Sequence, residues 1–115
     1  MSDIVQYGKT VKVPYRKIRG DTPGEGKVEF DLIYYILKTD IKVEGIEANT
    51  YGIQIVKSNL DGIEIDSKSE IDIWTNLPEA ETLASRLVDG KAMPEQLHNI
   101  AEDYVEEISC IEYVS

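Results

Sequence analysis

The chain has 115 residues, 42% of them hydrophobic and 30% charged, with a formal net charge of −10 at pH 7. That length fits one domain spanning residues 1–115, large enough to bury a core without disulfides or metals, and the composition excludes intrinsic disorder. The acidic balance argues against nucleic acid, which needs Lys and Arg against phosphate; the single cysteine fits a reducing, cytoplasmic setting; no signal-peptide pattern and no apolar run of roughly 18 residues argues for a membrane.

In chain order, residues 5 to 15 alternate, with Val5, Tyr7, Val11, Val13 and Tyr15 on odd positions. Period two predicts a strand with one apolar face. Gly8 suits a bulge and Pro14 an end or an edge position. The stretch GDTPGEG at 20–26 reads as a loop. Residues 27 to 38 form the strongest strand, with Val28, Phe30, Leu32, Tyr34 and Ile36 on one face. The other face begins polar with Glu29 and Asp31 and ends apolar with Ile33, Tyr35 and Leu37, which predicts a central strand covered on both sides.

Residues 39 to 49, TDIKVEGIEAN, predict a hairpin with Gly45 and Asn49 as turn residues. Tyr51, Ile53 and Ile55 return as a strand, and Ser58-Asn59-Leu60-Asp61-Gly62 marks a tight turn. Ile63, Ile65, Ile71 and Ile73 then continue the odd-position pattern around a polar bend at Ser67-Lys68-Ser69. The period next switches to 3.6: Ala80, Leu83, Ala84, Leu87 and Val88 share one helical face. Asn76 and Glu79 give a capping-box-like start with Pro78 in the first turn, and Gly90 is the expected left-handed stop. Pro94 restarts a helix whose apolar set is Leu97, Ile100, Ala101, Tyr104, Val105 and Ile108. Strands over about 3–74 followed by helices over about 77–89 and 94–109 predict an α+β fold. Its antiparallel β-sheet has four to five strands, and a C-terminal helical hairpin packs on one face.

Charge is unevenly placed. Residues 1–59 are net +1 and residues 60–115 net −11. Lys9, Lys12, Arg16, Lys17 and Arg19 make the N-terminal strand basic. The segment either folds against the acidic half or forms a docking strip for an acidic partner. Among the seven tyrosines, Tyr34 and Tyr35 must point to opposite faces of one strand, and Tyr35 is a candidate for a protein-contact face.

Reactive chemistry is densest in QLHNIAEDYVEEISC, residues 96–110, which holds the only histidine and the only cysteine. His98 falls on the flank of the predicted helix with Glu102 one turn on, a helix-stabilising contact. Two ligands do not make a tight metal site. Cys110 lies about 18 Å further along the axis, among carboxylates and near a helix C-terminus, where a thiolate is disfavoured. The stretch therefore predicts a core-covering helix with an acidic outer face, and no catalytic, cofactor or metal residues. Residues 20–27 miss the phosphate-loop pattern, with Asp21 where a glycine is needed and Val28 in place of Ser or Thr. Asn59-Leu60-Asp61-Gly62 misses a calcium loop, with Lys57 and Lys68 at ligand positions.

Three stretches together, Leu32-Ile33-Tyr34-Tyr35-Ile36-Leu37, Tyr51-Gly52-Ile53-Gln54-Ile55, and the hairpin with Met93-Pro94-Glu95-Gln96-Leu97 and Asp103-Tyr104-Val105, resemble a family of small uncharacterised cytoplasmic proteins of Clostridium-like bacteria. The similarity covers roughly residues 30 to 108. It implies a bacterial cytoplasmic setting and brings no catalytic residues with it. The functional expectation is a non-enzymatic protein-binding or regulatory module, with a homodimer through a sheet edge as one form. Its contact residues are Tyr35, Lys12, Arg16, Lys17, Arg19, His98 and Glu102. The alternatives are a small-molecule binder or small enzyme using carboxylates and His98, and an acidic mimic of DNA.

Overall fold

The computed structural model describes residues 5–22, 26, 28–74 and 76–114, without the side chains of 72–74 and 107–114. The side chains of Ile73, Ile108, Cys110 and Tyr113, and most of the 23–27 loop, therefore lie outside the described residues. Four strands, β1 (Val5–Asp21), β2 (Glu29–Val43), β3 (Ile46–Ser58) and β4 (Glu64–Trp74), precede α1 (Leu77–Asp89), a 3-10 turn (Pro94–Gln96) and α2 (Leu97–Val114). The strands form one antiparallel meander in the order β1-β2-β3-β4, so β1 and β4 are its edges. The predicted α+β architecture is the one observed.

The core lies between the sheet and the helices. Phe30, Leu32, Tyr34 and Ile36 of β2 and Ile53 and Ile55 of β3 meet Ala80, Leu83, Ala84 and Leu87 of α1 and Leu97, Ala101 and Tyr104 of α2. Alternation along β2 and the 3.6 period of α1 thus converge on one interface. Buried aliphatic side chains contribute roughly 1.5–3 kcal/mol each. Tyr34, fully buried, donates its hydroxyl to the Ala92 carbonyl at 2.9 Å, tying the central strand to the interhelical connection. Burial pushes its phenol up to about 12. Tyr104 donates to Glu79 Oε2 at 3.0 Å and lies under the Arg86 guanidinium, joining α2 to the first turn of α1.

The turns follow local chemistry. Residues 39–49 are a hairpin, closed by Glu44 and Gly45, both at positive φ (51° and 80°). That pair forms the two-residue loop whose twist matches the strands. Asn49 lies inside β3, opposite Asp40, and not in the turn. Asn59 accepts from the Asp61 and Ile63 amides, and Gly62 takes φ 87°, closing the next hairpin. Asn76 caps α1 by accepting from the Glu79 amide at 3.0 Å. Gly90 is not the left-handed stop; its φ is −88°. Lys91 takes that conformation (φ 50°). Its amide bonds the Val88 carbonyl and the Ala92 amide bonds the Leu87 carbonyl, which is the Schellman pattern set one residue later than expected.

Two edge features depart from the alternation read along the chain. In β1, one extra residue stands between Tyr7 and Thr10 and another between Pro14 and Arg16. Each bulge switches which parity faces the helices. Val11 and Val13, opposite Lys38 and Ile36, face the helix side, whereas Tyr7, opposite Ile41, faces away. The five odd-position apolar residues of β1 therefore form no single buried face, and all are exposed. In β4, Glu70 and Lys68 stand opposite Ile53 and Ile55. The strand runs straight through Ser67–Ser69, and Ile63, Ile65 and Ile71 are exposed. An edge strand is covered on fewer sides, so it can leave isoleucines in solvent. At the β3–β4 joint, a Cβ on Gly52 would stand 2.1 Å from the Glu70 carbonyl oxygen and 2.7 Å from Ile71 Cα. Only glycine allows β4 to pass there.

Candidate functional site

The sheet face turned away from the helices carries Asp31, Ile33, Tyr35, Leu37 and Thr39 of β2 beside Gln54, Val56 and Ser58 of β3. Register places Lys12 opposite Leu37, Pro14 opposite Tyr35, Lys17 opposite Ile33 and Arg19 opposite Asp31. Lys12, Lys17 and Arg19 thus line up along this far face. Lys12 Nζ lies 4.3 Å from the centre of the Tyr35 ring, a cation–π contact. Lys17 Nζ and Arg19 Nε approach the buried Asp31 carboxylate at 3.6 and 3.0 Å, and Arg19 also reaches Glu29 at 3.5 Å. The stems of these cations cover apolar ground while their heads stay wet, with Lys17 64% and Arg19 57% exposed. Thr50 Oγ1 and Gln54 Oε1 are buried without a hydrogen-bond partner among the described residues.

The bulge at Tyr15 sends Arg16 the other way, opposite Tyr34 on the helix side. The five-cation strip read from the sequence is therefore split. Its described ion pairs run to Asp31 and Glu29 of the neighbouring strand, and not to the acidic C-terminal half. Asp31 and Glu29 were readable as the polar start of a strand face. Their role as counter-charges follows from the β1–β2 register.

The second grouping is at the opposite edge. His98 pairs with Glu102 at 3.3 Å through Nε2, the expected one-turn contact. Its Nδ1 meets Glu70 Oε1 of β4 at 2.6 Å, a partner 28 residues away. The Glu70 hydrogen bond and charge, with a smaller share from Glu102, raise the imidazole above its ordinary 6.5, against a small opposing cost of desolvation. The two carboxylates sit on opposite ring nitrogens, so the three groups do not converge on a point. No metal-binding set of His, Cys, Asp and Glu occurs among the described residues. Ala101, Val105 and Glu106 complete an open cleft of about 230 Å3 beside this cluster. Tyr35, Lys12, Lys17 and Arg19 thus share one face, whereas His98 and Glu102 belong to another and Arg16 points to the helix side.

No helix among the described residues is long and apolar enough to cross a membrane. A four-stranded meander under a C-terminal helical hairpin, with charge sorted to its two edges, defines the class of protein. The chain belongs to a family of unknown function (DUF6514), whose model matches residues 17–107. That match takes in the 39–49 hairpin and the end of β1, and leaves out most of the N-terminal strand. No curated protein and no solved structure matches the chain.

Proposed function

We propose that this protein is a non-enzymatic protein-binding or regulatory module of the bacterial cytoplasm, and that it meets its partner through the far face of the sheet. The observation that carries this reading is the row Lys12, Lys17 and Arg19 on one face beside half-buried Tyr35 and Ile33, with Lys12 over the Tyr35 ring. Cations framing an aromatic, half-apolar floor are the composition of a protein contact centre with a polar rim.

The test is chemical crosslinking in lysate of the source organism, comparing the native chain with Lys12→Glu/Lys17→Glu. Arg19 is kept so that Asp31 retains its closest cation. A partner crosslinked to β1 or Tyr35 in the native chain should be lost in the variant and retained by Lys91→Glu. Capture that is equal in all three proteins would refute the face.

A further inference from the structure

The apolar stripe of α2 is wider than the surface it covers. Leu97, Ala101 and Tyr104 are buried and Ile100 half-buried, yet Val105, on the flank toward β4, is 37% exposed. The cause is the opposite wall. Where an apolar residue of β4 would seat against Val105, the strand offers Glu70. Because β4 is an edge strand, no further strand of the sheet lies beyond it among the described residues. The result is the cleft of about 230 Å3 with Ala101 and Val105 as its floor and Glu70, Glu102 and Glu106 on its rim. Its apolar floor has room for one aliphatic side chain. The rim has three carboxylates and one imidazole, in a C-terminal half of net charge −11.

We infer that this cleft docks a basic amphipathic segment of a partner protein, which seats one aliphatic side chain on Ala101 and Val105 and sets Lys or Arg against Glu70, Glu102 and Glu106. Charge complementarity selects the class: an acidic segment would be repelled by three carboxylates, and an uncharged one would gain nothing from them. A helix with apolar residues at i, i+3 or i+4 and cations beside them fits such an apolar floor and acidic rim. His98 occupies the place an incoming cation would take, since it already bridges Glu70 and Glu102. The site is separate from the far sheet face, so it stands or falls independently of that reading.

The probe is a capped 14-residue peptide of Lys and Leu at helical spacing, with a Glu–Leu counterpart as control. Affinity is read by fluorescence anisotropy at 50 mM salt, and position by the methyl resonances of Ala101 and Val105. The basic peptide should shift both methyls saturably and the acidic one should shift neither. Glu70→Gln/Glu102→Gln/Glu106→Gln should weaken binding roughly tenfold. His98→Gln should strengthen it roughly threefold by freeing the carboxylates. Val105→Asp separates a seat from a mere field: attraction alone predicts tighter binding, and a filled cleft predicts weaker. Tighter binding by Val105→Asp, or methyls that do not move, overturns the inference. Methyl shifts that appear on concentrating the protein without peptide also overturn it, because the occupant is then a second copy.

Discussion

The two edges of the sheet handle charge in opposite ways. Residues 5–20, nearly all of β1, contain five cations and no carboxylate, and the next strand supplies Asp31 and Glu29 to meet them. At the far edge, β4 and α2 bring Glu70 and Glu102 onto a single imidazole, with Glu106 lining the same cleft. One edge is partly compensated by its neighbour in the ladder, which pairs two of its five cations; the other is left acidic. The lesson is that the net charge of −10 is a poor guide to either edge. Strand register and helix packing, beyond spacing along the chain, decide what Arg19, Lys17 and Glu70 meet.

The largest effect on this contrast should come from Gly52→Ala. A methyl 2.1 Å from the Glu70 carbonyl pushes β4 off β3. The expected cost is about 3 kcal/mol, as for overpacking, measured by urea denaturation. The displaced Glu70 should also let the histidine pKa fall toward 6.5, because the acidic edge exists only while β4 is seated. A cost below about 0.5 kcal/mol, the usual range for surface changes, would show that the strand yields freely.

Arg19→Ala comes next and acts on the basic edge alone. It leaves the buried Asp31 carboxylate with only Lys17, at 3.6 Å. A loss of about 1 kcal/mol is expected, with no change in the histidine titration. If the two edges were coupled, both readouts would move together.

The smallest effect is pH dependence at the acidic edge. The chain has one histidine, so a single imidazole resonance reports it. Its pKa should lie above 6.5, and Glu70→Gln should lower it more than Glu102→Gln, since Glu70 is the larger cause. A group whose pKa rises on folding stabilises the fold fully below its unfolded value. The contribution of His98 is therefore present below about 6.5 and fades as pH rises through the raised value. A pKa at or below 6.5 would mean that the Glu70 contact does not persist in solution.

Much of the fold was legible in the sequence because its signals are local. Asn76 with Glu79, the 3.6 spacing of α1 and the alternation of β2 each involve residues a few positions apart. What could not be read was set by register or tertiary contact. Gly8 did suggest a bulge, but nothing beside Tyr15 announces the extra residue that puts Arg16 on the opposite face from Lys12 and brings Lys17 and Arg19 round to join it. Likewise Glu102 was findable as the next helical turn from His98, whereas Glu70 reaches it only through the packing of α2 on β4. Val105 fits the helical stripe and is exposed, because the stripe says which side is apolar and not how far the opposing wall extends.

The interruptions of β1 have a consequence for life in a crowded solution. A long strand at a sheet margin is a template on which other chains can polymerise. This one spans 17 residues, and Val5, Tyr7, Val11, Val13 and Tyr15 are in solvent, with Ile18 alone packed against the core. Yet Pro14 brings no N–H, two bulges break the spacing of the ladder, and lysines punctuate what is left. A foreign strand laid along it would lose its match within a few residues. The same irregularities that scatter the apolar residues of β1 over two faces also guard the molecule against fibrous self-propagation.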